Sequence, residues 1–381
     1  MSFLYYIAAF LVSFLLFPFV LKAARKYNLV DLPDPRKLQT NPVPSMGGIV
    51  VATGVFVPLL AAGSEGVTAS ERLIMAAMLL LGFADDVKNL SATLRFVVEM
   101  ILVYLLLTMN YTEPLIEYDG LYRILLTALF TIAGVGIINA VNMIDGIDGL
   151  SSGFGIMASA IFAYIFFRTG DTGHAFLSCL CAAALVPFYL HNVFGKTSKM
   201  YIGDGGSLFI GTILVINTFA LLFGTQPSTT ALPSTLQGES FIIRVTISLA
   251  ILCVPVFDTL RVMFDRIVRG IHPFHADKRH LHHRFIELGF SHFGASACII
   301  TTNLLIVCVW YISYHLHFPA YAQMLIVLVS GVLSTSGFYY GSQWCERRQN
   351  GIHRFLCRTG KSSQLEQTSI WMRMQRFLDI N

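Results

Sequence analysis

Five aspartates stand out in this sequence because they lie where long apolar segments end. Asp85 and Asp86 are adjacent in G-F-A-D-D-V-K, Asp145 and Asp148 lie in N-M-I-D-G-I-D-G-L, and Asp204 lies in Y-I-G-D-G-G-S. An ionisable side chain at or within a membrane segment is costly, so by default it marks a functional position. A single aspartate is equally well explained as a helix cap. Three acidic loops together favour a functional centre over capping alone.

The chemistry that these carboxylates favour is the binding of a hard divalent cation. Oxygen ligands without cysteine suit Mg²⁺ or Mn²⁺ rather than Zn²⁺. A Mg²⁺ ion held by one or two carboxylates usually completes its shell with substrate phosphates. Basic residues that could hold phosphates accompany the acids: Arg36, Lys37, Lys196, Lys199 and the histidine-rich run 272–284. That run is also explained as a basic loop facing anionic lipid headgroups or, less well, as a zinc site.

These residues must be positioned by membrane helices. Of the 381 residues, 13% are charged and 55% are hydrophobic, whereas about 25% are charged in typical soluble proteins. This composition excludes a disordered chain, a coiled coil and a disulfide-rich secreted domain, and nothing resembles a nucleic-acid-binding module. A membrane-spanning helix needs ~20 apolar residues. We predict an all-α polytopic membrane protein with eleven transmembrane helices, near residues 3–21, 46–62, 71–84, 95–110, 121–140, 151–167, 174–190, 206–223, 241–260, 297–315 and 321–340. The weakest of these is 71–84.

The connecting segments differ sharply in positive charge. Of the 26 Lys and Arg residues, one alternating set of segments holds all but Arg72, Arg123, Arg168 and Arg244. Cytoplasmic loops carry the excess of basic residues. We therefore place the N-terminus outside, and the C-terminus and all five aspartates on the cytoplasmic side.

Five motifs in a fixed order resemble those of the polyprenyl-phosphate N-acetylhexosamine-1-phosphate transferases. They are D-P-R-K…P-V-P-S-M-G-G at 34–48, D-D-V-K-N-L at 85–90, N-A-V-N-M-I-D-G-I-D-G-L at 139–150, Y-I-G-D-G-G-S-L at 201–208 and H-P-F-H-A-D-K-R-H-L-H-H-R at 272–284. The third and fifth are highly specific, and the resemblance covers residues 1–340. The family includes bacterial enzymes that start O-antigen, common-antigen and teichoic acid synthesis.

The resemblance implies eleven helices with the active site at the cytoplasmic face. It implies that Asp204 and Asn142 ligate Mg²⁺, with Mn²⁺ as the alternative. It also implies that four further aspartates are needed for activity: Asp85, Asp86, Asp145 and Asp148.

Substrate binding is assigned to basic and aromatic residues of the same motifs: Arg36, Lys37, Tyr201, Lys278, Arg279, His280, His282, His283 and Arg284. Tyr201 lies where the muramoyl branch of the family has an aromatic residue that stacks on uracil, and an interfacial tyrosine is the alternative. The teichoic-acid and common-antigen enzymes of the family usually have a histidine just after the Arg-Lys pair, whereas this chain reads R-K-L-Q at 36–39. We therefore assign no role to a histidine there.

The H-L-H-H run at 280–283 resembles the branch of the family that uses UDP-N-acetylglucosamine (UDP-GlcNAc). We therefore expect transfer of GlcNAc-1-phosphate to undecaprenyl phosphate with release of UMP, in the bacterial inner membrane. Another UDP-activated 2-acetamido sugar is the alternative donor. Because the second pKa of a phosphate is ~6, the lipid phosphate needs little help from a base. Asp85 and Asp86 are assigned to removing a residual proton or to orienting the lipid phosphate and metal.

The sequence leaves open the reaction route, an alternative protein class and the role of the tail. A double displacement through an aspartyl-phosphate is the rival route. A proton-coupled transporter is the alternative of another class, although transporters place ionisable groups near the bilayer midplane. Residues 1–340 are predicted to form the catalytic domain and 341–381 a basic cytoplasmic tail, which either lies on membrane lipids or docks on a partner, with a homodimer left open.

Overall fold

The computed structural model describes residues 3–31, 42–63, 66–111, 120–224, 241–273, 278–366 and 368–379. Its helices are α1 Leu4–Lys26, α2 Gly47–Ala61, α3 Ala69–Lys88, α4 Ala92–Asn110, α5 Gly120–Met143, α6 Leu150–Thr169, α7 Thr172–Phe194, α8 Gly203–Phe223, α9 Phe241–Ile251, α10 Cys253–Val268, α11 Leu281–Glu287, α12 His292–His315, α13 Ala320–Val332, α14 Phe338–Arg347, α15 Gly351–Ser362 and α16 Ser369–Asp379. A π-helical turn, Leu333–Gly337, joins α13 to α14. One antiparallel ribbon pairs β1 Val30–Asp31 with β2 Val43–Pro44, with Val30 opposite Pro44.

Within these ranges, eight helical stretches are long and apolar enough to cross a membrane, or nine if the bent pair α9–α10 counts as one span. The eight are α1, α4, α5, α6, α7, α8, α12 and the continuous stretch from α13 to α14. The predicted spans 46–62 and 71–84 are not among the eight. Helix α2 has only 15 residues, and α3 carries charges in its first and last turns. A helical, polytopic membrane protein is therefore confirmed, while the count of eleven spans and the orientation stay predictions.

The predicted span 241–260 is not one straight helix, because α9 and α10 meet at an angle of 80°. Pro255 has no N–H, so the carbonyl of Ile251 loses its helical partner. Asn303 on α12 replaces it: its Nδ2 donates to the Ile251 carbonyl at 2.8 Å, and its Oδ1 accepts the N–H of Val254 at 2.8 Å. A side chain from another helix thus satisfies the broken backbone and fixes the bend.

Helix α8 lies at the centre of the bundle. All of its residues except Asp204 are buried, as expected for a helix that is apolar on every side. Six helices pack around it: α2, α3, α5, α6, α7 and α9. Gly82 allows a close contact with α3, since a Cβ at this position would lie 2.4 Å from the carbonyl oxygen of Asp204. The first turn of α8 is therefore held at one end of a rigid core.

Candidate active site

The last turn of α3 meets the first turn of α8 through a carboxylate. Asp86 accepts the backbone N–H of Asp204 at 2.9 Å and that of Gly205 at 3.1 Å. These N–H groups have no partner inside their own helix, and the helix dipole favours negative charge beside them. Gly203 has φ of +74°, and a Cβ there would lie 2.6 Å from Asp86 Oδ2. Asp86 therefore holds the entry to α8, where only glycine fits.

Arg95, in the first turn of α4, links two of the predicted aspartates. Its Nη1 lies 2.8 Å from Asp85 Oδ2 and 3.9 Å from Asp204 Oδ2, while its Nε lies 3.4 Å from Glu99 Oε1. Asp85 also accepts the N–H of Leu90 at 2.7 Å. Arg95 is absent from the predicted site. A basic residue four positions before a buried glutamate in an apolar helix is the signal that would have identified it.

Asp145 lies in the loop between α5 and α6, with its side chain accepting a hydrogen bond from the Ser151 hydroxyl. Burial, together with the negative charge of Asp204, raises the pKa of Asp145 to about 7. Its N–H donates to the carbonyl of Asn142 at 3.1 Å. The Asn142 Nδ2 atom is buried and has no hydrogen-bond partner among the residues that the structure describes. The Asn142 Nδ2 group therefore retains capacity to donate a hydrogen bond to a ligand.

Asp148, in the same loop, is held by two basic groups. Its Oδ2 lies 2.6 Å from Lys199 Nζ and 2.7 Å from His292 Nδ1. Burial acts to raise the pKa of Asp148, but the hydrogen bond from His292 and the charge of Lys199 outweigh it and hold the pKa below its usual value. Asp148 is thus charged near neutral pH. His292 is absent from the predicted site, and Lys199 appears there only as a nearby cation.

The histidine motif packs on this loop. A Cβ on Gly146 would lie 2.2 Å from His282 Nε2, so the imidazole rests directly on the glycine. The rings of His280 and His283 have their centroids 5.8 and 4.3 Å from that of His282. Burial lowers the pKa of His282 well below its ordinary value, and both neighbouring histidines lower it further. His282 therefore presents a neutral imidazole and not a cation.

A buried ion pair positions the histidine motif. His280 Nδ1 lies 3.0 Å from Asp258 Oδ2, and the same carboxylate accepts the N–H of Leu281. Arg261 Nη2 donates both to Asp258, at 2.6 Å, and to the carbonyl of Arg279, at 2.6 Å. Asp258 and Arg261 are not in the predicted site. Two opposite charges three residues apart in the otherwise apolar start of α10 were the sequence signal that could have identified them.

The fourth motif also reaches the first. Tyr201 donates its N–H to the carbonyl of Pro44 at 2.7 Å and accepts that of Gly47 at 2.9 Å, and it forms a parallel bridge with Ser45. Lys199 Nζ lies 5.8 Å from the centroid of the Tyr201 ring, within cation–π range. Arg36 and Lys37 lie outside the described residues.

The remaining basic residues of the predicted site are placed around α11. Arg284 is buried, donating from Nε to Ser342 Oγ at 2.8 Å and pairing through Nη1 with Glu346 at 2.7 Å. These partners lie on α14, so the contacts that the structure gives Arg284 anchor α11 to α14. Lys278 and Arg279 precede α11 in the chain. A substrate-binding role for all three stays a prediction.

The oxygen donors suit the predicted Mg²⁺ ion without forming a cage. Among the described residues, no three His, Cys, Asp or Glu side chains are grouped as metal ligands. Mg²⁺ commonly uses one or two carboxylates and takes its other ligands from water and substrate phosphates. The Asp204 carboxylate is 34% exposed, and Asn142 carries a side-chain amide oxygen of the kind that Mg²⁺ accepts, so both residues fit such a site. The Asn142 Nδ2 atom, unpartnered among the described residues, is a donor and suits a phosphate oxygen rather than the ion. Mg²⁺ binding by Asp204 and Asn142 stays a prediction.

The fold and the gathered acidic, basic and imidazole groups are those of an integral membrane enzyme. The model of glycosyl transferase family 4 matches residues 70–223, which include the second, third and fourth motifs. The chain is 28% identical to the undecaprenyl-phosphate alpha-N-acetylglucosaminyl 1-phosphate transferase of Escherichia coli K12, covering 92% of this chain and 93% of that protein. It is 30% identical to the probable undecaprenyl-phosphate N-acetylglucosaminyl 1-phosphate transferase of Bacillus subtilis, covering 75% and 78%. This chain belongs to glycosyl transferase family 4.

Proposed function

We propose that this enzyme transfers GlcNAc-1-phosphate from UDP-GlcNAc to undecaprenyl phosphate and releases UMP. The names of the relatives support the acceptor and the sugar, and the H-L-H-H run supports the same sugar. The observation that carries the proposal is the contact of the first and second motifs with the fourth at the start of α8, together with the contact of the fifth motif with the third at Gly146. The family match favours this transferase over the transporter alternative.

In this proposal, the residues around the first turn of α8 have different roles. A bound Mg²⁺ ion would neutralise charge on the diphosphate, and Asp204 and Asn142 would hold it. Arg95 keeps Asp85 and Asp204 beside each other. Neutral His282 offers a directional hydrogen bond to the sugar or the diphosphate. The lipid phosphate then displaces UMP at the phosphorus bonded to the sugar oxygen.

Direct displacement is the route that the contacts favour. Asp86 is engaged by two backbone N–H groups, and Asp85 by Arg95 and one N–H. Either carboxylate would have to give up these bonds to attack phosphorus. UMP release without undecaprenyl phosphate tests this: direct displacement gives none, whereas an aspartyl-phosphate route gives a burst of about one UMP per enzyme.

The decisive experiment assays UMP release by the purified protein with undecaprenyl phosphate and a panel of UDP-2-acetamido sugars. UDP-GlcNAc should be the best donor, and chelation of divalent cations should stop the reaction. If another sugar is used instead, the sugar assignment is wrong. If no donor yields UMP while vesicles carrying the protein accumulate a solute, the transporter alternative is correct.

We also propose that the site faces the cytoplasm of the bacterial inner membrane, where the product would start a lipid-linked surface glycan such as O-antigen lipopolysaccharide. The uneven distribution of Lys and Arg supports this orientation. Single cysteines introduced at Leu115 and Thr230 of a cysteine-free variant should react with an impermeant reagent on intact cells, whereas those at Leu90 and His275 should not. The reverse pattern would overturn the orientation.

A further inference from the structure

Two helices at the C-terminal end, α15 and α16, are amphipathic and pack on the catalytic bundle by one face only. On α15 this face contains Leu356, which packs against the core, and Gly360, where a Cβ would lie 2.6 Å from the carbonyl of Leu288. Away from this face, Ile352 and Phe355 are 58% and 66% exposed. The helix is therefore docked on one side and apolar on a second side.

Helix α16 repeats this arrangement. Its docked face carries Trp371, whose ring lies 4.5 Å from that of Phe194 and 5.6 Å from that of Phe293, between centroids. Its exposed apolar residues are Ile370 and Phe377, at 73% and 59%. Two separate helices thus leave bulky apolar side chains uncovered in a protein whose bundle already lies in a membrane.

Basic residues flank the apolar faces of both helices. On α15, Arg354, Arg358 and Lys361 line an open groove of about 360 Å³, and Arg373 and Arg376 lie on α16. From residue 341 onward the sequence has seven Lys or Arg and three acidic residues. Lys and Arg beside an apolar helix face are typical of helices that lie in the headgroup region of an anionic bilayer.

The position of the two helices also points to the bilayer surface as what they contact. Helix α14 completes an apolar stretch that is long enough to cross the membrane, Ala320–Arg347, and α15 begins only four residues after it. At 1.5 Å per helical residue or about 3.5 Å per extended residue, α15 must start within about 15 Å of the end of that span. Its exposed apolar face is therefore within reach of the bilayer surface.

The last residue of α16 contacts the loop between α7 and α8, which leads to Lys199 of the candidate active site. Asp379 accepts the backbone N–H groups of Lys196, Thr197 and Ser198 at 3.1, 3.1 and 2.9 Å, and also the Ser198 hydroxyl. The same loop continues to Lys199, which pairs with Asp148. The position of α16 is thus transmitted to the loop through four hydrogen bonds.

We propose that α15 and α16 form a binding site for the anionic phospholipid surface of the bilayer, and that this binding fastens Asp379 to the loop 196–198. The apolar side chains enter the acyl-chain boundary, and the guanidinium groups bind lipid phosphates. The inference goes beyond the proposed transfer reaction, and its test does not depend on that activity.

The test is hydrogen–deuterium exchange on the full chain in bilayer discs, either of neutral phosphatidylcholine or with about one quarter phosphatidylglycerol. Each cation near an anionic surface contributes about a fivefold gain in affinity. We expect the amides of α15, α16 and residues 196–198 to exchange about tenfold more slowly, or slower still, in the anionic discs. Equal exchange in the two discs would overturn the proposal. The same slowing on adding inorganic phosphate to neutral discs would mean that the groove binds free phosphate instead of the bilayer.

Variants separate the two parts of the proposal. Arg354→Gln with Arg358→Gln should abolish the effect of anionic lipid, whereas Arg123→Gln with Arg168→Gln, which removes the same charge from exposed positions near the other end of the bundle, should preserve it. Asp379→Ala should free the amides of 196–198 while α15 stays lipid-dependent. Lipid-dependent protection of 196–198 that survives Asp379→Ala would disprove the link to the loop. A second copy of the chain covering these helices would appear instead as protection that depends on protein concentration in neutral discs.

Discussion

Helix α3 carries buried carboxylates near both ends, Glu71 and Asp85, about 21 Å apart along the helix for 14 residues, and the two ends differ in whether the polar groups around them are all satisfied. In its first turn, Glu71 is 1% exposed. Its two oxygens accept from the Thr68 N–H at 2.8 Å and the Tyr111 hydroxyl at 2.5 Å, and His174 Nε2 lies 3.3 Å away. His174 in turn contacts Asp171 at 2.8 Å. This group, here called the Glu71 cluster, is closed by its own partners.

The other end of α3 is open. Asp86 and Asp85 are engaged, but Asp204 beside them exposes 34% of its side chain. Among the described residues, Asp148 Oδ1 and Asn142 Nδ2 are buried and lack a hydrogen-bond partner. A fully satisfied buried network fixes helices in place, whereas unsatisfied buried groups are costly unless a ligand uses them. Buried acidic residues in a membrane bundle therefore mark a site only where capacity for a ligand remains.

The largest effect should come from Asp204→Asn. This change removes one negative charge and keeps the shape, so the protein should still fold, while the predicted metal ligand is weakened. We expect the rate of UMP release to fall about 100-fold or more, with the melting temperature nearly unchanged, and raised Mg²⁺ should restore part of the activity. Wild-type Mg²⁺ dependence in the variant would show that Asp204 is not a ligand.

The histidine motif should give the next largest effect. His282→Lys and His283→Lys should each lower kcat/KM for UDP-GlcNAc by more than about tenfold, because a lysine cannot reproduce the directional hydrogen bond of an imidazole. For His282 the lysine must also replace a neutral buried ring that rests on Gly146. The exposed His315, changed to lysine, is the matched control. Near-wild-type rates in both variants would mean that the motif is only a cationic patch.

Much of this arrangement was predictable because it depends on segments that are continuous in the chain. Most of the observed apolar helices coincide with predicted spans, and three aspartate loops and the histidine motif converge as expected for loops on one side of a membrane. Asp86 and Asp204 both lie in terminal helical turns, as the apolar segments that end beside them predicted. The local sequence pattern is therefore sufficient to predict helices and the turns at their ends.

The partners of the motif residues were not predictable, because they depend on which faces of distant helices meet. His292 reaches Asp148 across 144 positions of sequence, and Asp258 reaches His280 from the preceding helix. The bend at Pro255 likewise depends on Asn303, which lies on another helix. The positive charge of Arg284 pointed to substrate, yet its observed contacts with α14 are fixed only by tertiary packing.

Arg95→Lys should have an intermediate effect. Lysine keeps the charge but has one ammonium group in place of the planar fork, so it cannot contact Asp85 and Glu99 together while remaining close to Asp204. We expect kcat/KM to fall about tenfold with a small change in stability. Arg123→Lys, at an exposed position near the other end of the bundle, should change neither quantity. Full activity in Arg95→Lys would show that its position between the aspartates is unimportant for the reaction.

The smallest effect on the reaction, and the sharpest contrast between the ends of α3, is expected for Glu71→Gln. Glutamine has nearly the same size but lacks the charge that strengthens the bonds from Tyr111 and His174, and one of its amide positions now opposes the Thr68 N–H or the Tyr111 hydroxyl. Weakening a buried, charge-assisted network of this kind costs about 1–3 kcal/mol, so the melting temperature should fall. UMP release per folded molecule should stay within about twofold of wild type, because the cluster lies at the far end of α3 from Asp204. Asp204→Asn, the same loss of one charge at the open end, should show the opposite pattern, with activity lost and the melting temperature nearly unchanged. A large loss of activity in folded Glu71→Gln protein would mean that the closed cluster also serves the reaction.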